Sequence, residues 1–241
     1  MNPFNNPLML KIRVGSSTIA SAIGLSEYPE DNNPKQFVLS LIKKKLDKEH
    51  EIEKEKTDNK FIEHGIEYEP FMINLHKILF SEFEHVDNPG EFSHPFFRNL
   101  MVAKPDAILI SDIQVPVEVK SPQKMYQKIP NDHILQVILQ MECMKTINGD
   151  NGTPYGHYIA AIIDEDSKRP RLREDIIAVR IFRDEETVKM INSRLKFLYL
   201  NYIFEDKIPP PDLFKDWPVF MPKYQNLSEI VGEEKFASLF L

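Results

Sequence analysis

Three residues in the middle of the chain have types and spacing that can do chemistry: Asp106, directly after Pro105, and the alternating pair Glu118 and Lys120. Side chains in a strand alternate between faces, so Glu118 and Lys120 share one face wherever that segment is extended. If the strand opened by Asp106 and the strand ending at Lys120 form a hairpin, Asp106 can lie beside Glu118 at one end. Paired carboxylates offer hard oxygen ligands for Mg²⁺, and the backbone carbonyl of Val119 between them is a candidate further ligand. Lys120 would then sit where an ammonium can orient a water and oppose the charge growing on an attacked phosphate. On residue types alone, a half-exposed surface hairpin carrying two acids and a lysine fits as well, so both readings stay open at this level.

Two other segments carry polar groups where apolar ones are expected. From Phe61 to Phe80 the residues Phe61, Tyr68, Met72, Leu75 and Leu79 recur at helical spacing, with Ile62, Ile66 and Ile73 as an adjoining stripe. Glu69 falls within that second stripe, and a carboxylate on a core-facing side needs a partner. The segment from about Asp132 to Lys145 is apolar on most sides, which predicts a largely buried helix, yet Gln136 and Gln140 lie one turn apart on one of its faces. Buried amides need partners; the Lys120 ammonium, a substrate phosphate or ordinary core groups would each serve.

The elements that must position these groups are legible as periodicity. Small residues at Gly15-Ser16-Ser17-Thr18 predict a short helix capped by Ser16 or Ser17, with Ile19, Ile23 and Leu25 on its apolar side. Asn33-Pro34 predicts the start of a helix with Phe37, Leu41 and Ile42 on one face, running into a mixed-charge stretch from Lys43 to Lys56 that reads as solvated. Strands are predicted at Leu100–Ala103, Ala107–Ile110, Val115–Val119, Gly156–Ile163 and Ile176–Phe182, and a final amphipathic helix from Asp184 to about Phe204. The order reads as an α/β fold, a mixed sheet flanked by helices. One domain spanning 1–241 is expected, with a core at about 13–204 and an extended strap at about 205–241 that contains Pro209-Pro210-Pro211 and Trp217.

Composition removes several function classes. The single cysteine, Cys143, excludes an intramolecular disulfide and Cys-based metal sites, and it reads as a packed thiol. The seven histidines lack H-x-x-x-H or H-E-x-x-H spacing, and there is no G-x-x-x-x-G-K-[ST] loop, so neither a zinc hydrolase nor an ATP-driven machine has a motif basis. No long apolar run or leader-like start is visible, which predicts an intracellular protein with no membrane span. The net charge of −7 argues against coating nucleic acid with bulk positive charge. It does not argue against a nucleic-acid enzyme, because basic groups can be confined to one groove. Lys124 and Lys128, and the loop group Lys168, Arg169, Arg171 and Arg173, could track a phosphate backbone, although Asp164, Glu165, Asp166 and Glu174 around the loop group favour solvated charge there.

Four blocks in order, Gly15-Ser16-Ser17-Thr18-Ile19-Ala20 with Ile23-Gly24-Leu25-Ser26, His64-Gly65 to Glu69-Pro70, Lys104-Pro105-Asp106-Ala107 with Val117 to Pro122, and Leu135-Gln136-Val137 with Gln140-Met141, give the chain a family likeness. From Arg13 to Met144 it resembles the lambda-exonuclease-type (YqaJ-like viral recombinase, alkaline exonuclease) family of the PD-(D/E)xK nuclease superfamily. The resemblance implies a restriction-endonuclease-like core and a site in which Asp106, Glu118, Glu69 and the Val119 carbonyl bind Mg²⁺, as two ions with Mn²⁺ able to substitute. Lys120 would position the attacking water and Gln136 would contact the catalytic centre. Ser17 matches a serine that helps hold a terminal 5′ phosphate, with Arg13, Ser16, Lys104 and Ser121 as further phosphate-contacting candidates; Lys104 and Ala107 stand where the family usually has Ser and Gly. Implied with these are duplex DNA as substrate, 5′→3′ exonuclease activity in recombination, repair or replication, a single-strand annealing protein as partner, and a trimer. A site- or structure-specific endonuclease on the same framework, and a non-catalytic DNA-binding protein, are the alternatives.

Overall fold

The computed structural model describes residues 13–28, 32–49, 60–149, 152–164, 170–219 and 221–240. The outer part of the mixed-charge stretch, Lys168, Arg169, Glu165 and Asp166 lie outside these residues, as do the side chains of Phe61, Ile62 and Glu174. The chain begins with β1 (Val14–Gly15), a 3₁₀ turn at Ser16–Thr18, α1 (Ile19–Ala22), α2 (Pro34–Glu49) and α3 (Lys60–Leu79). Strands β2 (Glu84–Asp87), β3 (Phe92–His94), β4 (Arg98–Ala103), β5 (Ala107–Ile110) and β6 (Gln114–Lys120) follow, then α4 (Asn131–Cys143) and the short α5 (Lys145–Asn148). After these come β7 (Tyr155–Asp164), β8 (Arg171–Phe182), α6 (Glu185–Leu198) with a π-helical turn at Tyr199–Ile203, β9 (Tyr224–Asn226), α7 (Leu227–Val231) and α8 (Glu233–Ala237).

The main sheet has the order β2-β5-β6-β7-β8-β9, and a smaller sheet has the order β1-β4-β3. Within the main sheet β6 and β7 are parallel and every other pair is antiparallel. The parallel step needs a crossover, and α4 supplies it. The result is the α/β arrangement expected from the sequence, a mixed sheet with helices on both faces.

Alternation along β6 divides the core. Val115, Val117 and Val119 pack with Met72, Ile73, Leu75 and Leu79 of α3, while α4 packs with α1, α2 and α6 in the other core. The close approach of α4 to the sheet depends on Gly156 of β7, where a Cβ would meet Val137 Cγ1 at 2.6 Å. Asn33 caps α2 as anticipated, its Oδ1 accepting from Gln36 N at 3.0 Å. Neither Ser16 nor Ser17 caps α1: Gly15 precedes a 3₁₀ turn with no side-chain cap, and Thr18 Oγ1 donates to the Gly15 carbonyl instead.

The tail does more than strap the surface. Trp217 packs on Phe197 and Phe214, with ring centroids 5.4 and 5.1 Å away. Beyond it β9 adds an edge to the main sheet, and Leu227 and Leu239 are buried in the α3 core. Arg194 of α6, fully buried, ties this tail down by donating to the carbonyls of Ile23 at 2.8 Å, Trp217 at 3.2 Å and Pro218 at 2.9 Å. Burial lowers its guanidinium to about 10.

Three histidines link α3 to the sheet. His76 Nδ1 lies 2.9 Å from His85 Nε2, and His76 Nε2 lies 2.8 Å from His157 Nδ1. His85 Nδ1 is 3.1 Å from the Phe83 carbonyl, and Arg180 Nε donates to His157 Nε2 at 3.5 Å. One set of neutral tautomers satisfies the whole chain: His157 Nδ1–H donates to His76, His76 Nδ1–H to His85, and His85 Nδ1–H to the carbonyl. Every lone-pair nitrogen already receives a donor, so an added proton breaks a bond. Burial, then the Arg180 charge, pushes His157 down to about 3; burial lowers His76 well below its usual value and brings His94 to about 4.

These rings are neutral when folded and titrate near 6.5 when unfolded. Their stabilising effect is therefore complete above that pH and is lost below it, at about 1.4 kcal/mol per pH unit for each ring. Urea unfolding in metal-free buffer is expected to show stability falling continuously from about pH 6.5 to pH 4. A level profile across that window would mean that the rings titrate as exposed histidines do.

Candidate active site

The β5–β6 hairpin places the carboxylates that the sequence singled out. Ala107 faces Val117, and the ladder continues one residue beyond β5 because Asp106 N donates to the Val117 carbonyl at 3.1 Å. The Asp106 side chain then turns onto the neighbouring strand, where its Oδ2 accepts from Val119 N at 2.8 Å. Pro105 before it is buried and fixes the entry to this turn.

Glu118 has no exposed surface, contrary to a half-exposed hairpin, and faces α4. Its Oε1 accepts from Lys120 Nζ and from Gln136 Nε2, the latter at 2.7 Å, and its Oε2 accepts from Gln140 Nε2 at 2.5 Å. Both amides predicted to need partners thus find the same one. The buried charge is met by one cation and two neutral donors, which is what burial of a carboxylate requires.

Glu69 comes from the opposite helix layer. A cleft of about 180 Å³ is lined by Gly65, Ile66, Glu69 and Met72 of α3 together with Asp106, Val119, Lys120 and Ser121. Ile66, expected to help cover the core, is instead 65% exposed at the lip of this cleft. The Ser121 hydroxyl is buried and has no hydrogen-bond partner.

The charges in this cleft do not balance. Burial, then the Glu118 charge, pushes the Asp106 carboxyl up to about 8; Lys120 and the Val119 N–H pull it down, and Glu69 adds to the rise. Burial opposes the charge on Lys120 as well, but Glu118 and Asp106 outweigh it and hold the ammonium above its usual value. A carboxyl poised near 8 beside a raised lysine is the kind of perturbation that concentrates at functional sites.

Three residues beside Lys120 were not singled out from sequence. His133 Nδ1 is 2.8 Å from the Tyr158 hydroxyl, and the Tyr126 ring meets His133 edge-on at 5.1 Å. Burial and then the Lys120 charge hold His133 down to about 3, so it is neutral. Its position one turn before Gln136 was the available signal, since i and i+3 share a helix face.

The phosphate candidates are scattered more widely. Ser16 is buried and Ser17 exposed in the turn that packs against α4. That turn's loop is latched to α4: Asp132 accepts from Ser26 Oγ at 2.8 Å and Glu27 N at 3.0 Å, and Glu27 Oε1 accepts from Asn131 N at 3.3 Å. Arg13 forms an ion pair with Glu91, and Lys128 pairs with Glu27 at 3.0 Å. Lys104 and Lys124 are exposed. The structure lines one cleft with Asp106, Lys120, Glu69, Val119 and Ser121, joins Glu118 and Gln136 to it through Lys120, and does not bring the other candidates into its lining.

Residues 9–147, more than half the chain, match the family model of the YqaJ-like viral recombinase domain. The chain belongs to the YqaJ-like viral recombinase family. Two solved structures share the fold of this YqaJ-like domain. One is LHK-Exo in complex with dAMP, 16% identical with a TM-score of 0.57, covering 79% of this chain and 88% of that one. The other is an alkaline exonuclease (LHK-Exo) from Laribacter hongkongensis, 16% identical with a TM-score of 0.56, covering 77% and 85%. No curated protein sequence matches. Among the described residues of the YqaJ-like protein, no helix is long and apolar enough to cross a membrane.

The unbalanced charge has a measurable cost. Asp106 titrates near 3.8 unfolded and near 8 folded, so its burial destabilises the fold increasingly as pH rises from about 4 to 8. Asp106→Asn retains an acceptor for Val119 N and removes the charge. Without divalent cations it is expected to unfold at higher urea than the parent at pH 8, by roughly 1–3 kcal/mol, with the gain vanishing near pH 4. A variant less stable than the parent at pH 8 would show that the carboxylate is well accommodated.

Proposed function

We propose that the protein is a Mg²⁺-dependent DNA nuclease, a 5′→3′ exonuclease on duplex DNA that acts in recombination. The observation that carries the reading is the convergence of Asp106, Lys120 and Glu69 on one small cleft of a YqaJ-like domain, with Glu118 bonded to Lys120. The name of the LHK-Exo relatives, alkaline exonuclease, supports the choice of reaction.

The residues suit a divalent cation. Hard carboxylate oxygens from Asp106, Glu118 and Glu69, with the Val119 carbonyl, are the donor set such ions prefer. The proton held by Asp106 up to about 8 marks where positive charge is missing. Among the described residues no group of three His, Cys, Asp or Glu side chains stands ready to hold a metal ion. Mg²⁺ held there, as two ions replaceable by Mn²⁺, would supply Lewis-acid polarisation of the phosphodiester and would stabilise the leaving 3′ oxygen.

The chain's own groups do the rest. Lys120, held charged by Glu118 and Asp106, orients the attacking water and offsets the charge that develops on the phosphate. Gln136 holds Glu118 in place, and the unpartnered Ser121 hydroxyl is free to donate to a phosphate oxygen. Ser17, exposed on the turn that α4 supports, is placed among the candidates for a terminal phosphate.

The test is a linear duplex carrying a 5′ phosphate at one end and a 5′ hydroxyl at the other, run beside closed circular DNA with Mg²⁺. Loss of the phosphorylated strand from its 5′ end with the circle intact is expected, and Lys120→Ala is expected to reduce the rate by about a hundredfold or more at temperatures where the variant stays folded, since it also leaves buried Glu118 without its cation. Nicking of the circle would move the protein to the endonucleases. Full activity of Lys120→Ala would sink the assignment of the site.

A further inference from the structure

The polar stripe of α4 does not end at the two amides that meet Glu118. At the start of β6, Gln114 N donates to Asn148 Oδ1 at 3.0 Å, and farther along the strand Gln140 and Gln136 reach Glu118. The helix thus runs back along β6, and His133, three residues before Gln136 on the same face, comes level with Lys120 at the end of the strand. Two tyrosines hold its ring: Tyr126 meets it edge-on with centroids 5.1 Å apart, and Tyr158 lies tilted at 5.6 Å.

The tautomer of this ring is fixed by its neighbour. Tyr158 has no exposed surface, and among the described residues its hydroxyl has one hydrogen-bond partner, His133 Nδ1 at 2.8 Å. A buried hydroxyl proton needs an acceptor, so Tyr158 donates and Nδ1 accepts. The ring's own proton then sits on Nε2. That N–H meets no partner among the described residues and, on a half-buried side chain, stands open to solvent. Burial and then the nearby Lys120 charge keep the ring neutral, so it offers one donor in one direction.

Donors therefore accumulate at the end of β6 without acceptors to match. Lys120 Nζ carries three N–H groups and, among the described residues, gives one of them to Glu118 Oε1. Its other N–H groups and the His133 N–H are left for an acceptor from outside the chain, and an anion is the acceptor that suits an ammonium beside a neutral donor. We infer that His133 is a substrate-contacting residue: its Nε2–H donates to a non-bridging oxygen of the phosphodiester that Lys120 meets. The inference rests on the proposed nuclease reading and adds a donor from α4 to the Ser121 hydroxyl offered by the cleft lining. Lys120 supplies charge to the phosphate, and His133 supplies direction.

The experiment compares kcat/KM for Mg²⁺-dependent cleavage of a 5′-phosphorylated linear duplex by the full chain, by His133→Phe and by His133→Gln. Phe keeps a ring for Tyr126 and removes the donor; Gln gives up the ring and sets an amide N–H close to the place of Nε2. Loss of a hydrogen bond to a charged group is expected to lower kcat/KM of His133→Phe by about ten- to a hundredfold, with His133→Gln several-fold faster than His133→Phe. A purely structural role gives the reverse order, because Gln fills the space between two tyrosine rings less well than Phe. A His133→Phe value within about twofold of a parent that cleaves, or a His133→Gln no faster than His133→Phe, overturns the role of His133 and leaves the nuclease reading standing. A parent that cleaves no DNA overturns both. If His133→Phe fails to fold because Tyr158 loses its acceptor, His133→Phe combined with Tyr158→Phe removes the orphaned hydroxyl and is expected to show the same loss, and an unchanged kcat/KM there overturns the inference equally.

Discussion

Glu118 places a carboxylate where it has no exposed surface, and an uncompensated charge there would cost several kcal/mol or take up a proton. The structure answers with donors from two elements, Lys120 on the same strand and Gln136 and Gln140 on α4. That answer dictates where α4 lies. The helix must approach β6 closely enough for two amides one turn apart to reach one carboxylate. Gly156 allows the approach, since any side chain there would meet Val137. Asp132 holds the first turn of the helix to the Ser26–Glu27 loop. The polar bond and the tight apolar packing are two views of one constraint.

The same strand explains why the site lies where it does. Odd residues of β6 face α3 and even residues face α4, so the two helix layers are separated along most of its length. Groups from both layers can meet only where the strand ends. Lys120 is the last residue of β6, and Glu69 of α3 reaches the same cleft there. Asp106 completes the set because its ladder position beside Val117 aims it along the strand end toward Val119. Loss of any of these elements would leave a carboxylate without its neighbours.

Much of this was legible in sequence because it followed strict periods. The alternation of Glu118 and Lys120 among valines fixed their shared face, and the apolar run around Gln136 and Gln140 required those amides to find partners. What was not legible depended on distance. Nothing in a two-residue alternation says that Glu118 is wholly buried, since that follows from how near α4 comes. Strands β1, β2, β3 and β9 have two to four residues each, too few for a period to register. Ile66 reads as core by spacing but stands at the cleft lip, because the part of α3 buried in the core begins at Met72. Arg194 escaped notice because its partners are backbone carbonyls, which any sequence supplies.

The molecule handles its buried polar groups in two different ways, and the contrast separates architecture from chemistry. In the chain from Arg180 through His157, His76 and His85 to the Phe83 carbonyl, each donor meets an acceptor, and neutral rings leave no charge to compensate. Arg194 spends its guanidinium on three carbonyls. The histidine chain is closed and needs no outside charge, whereas Arg194 makes three carbonyl bonds and, among the described residues, leaves its Nε unpaired. At the cleft the account stays open: Asp106 holds a proton up to about 8 and Ser121 Oγ has no partner, and among the buried donors to Glu118 the Gln140 Oε1 has none either. A fold able to satisfy the His157–His76–His85 chain could have replaced these groups with apolar ones, at no loss of stability. Their retention in one place is the mark of a site completed by something that comes from outside the chain.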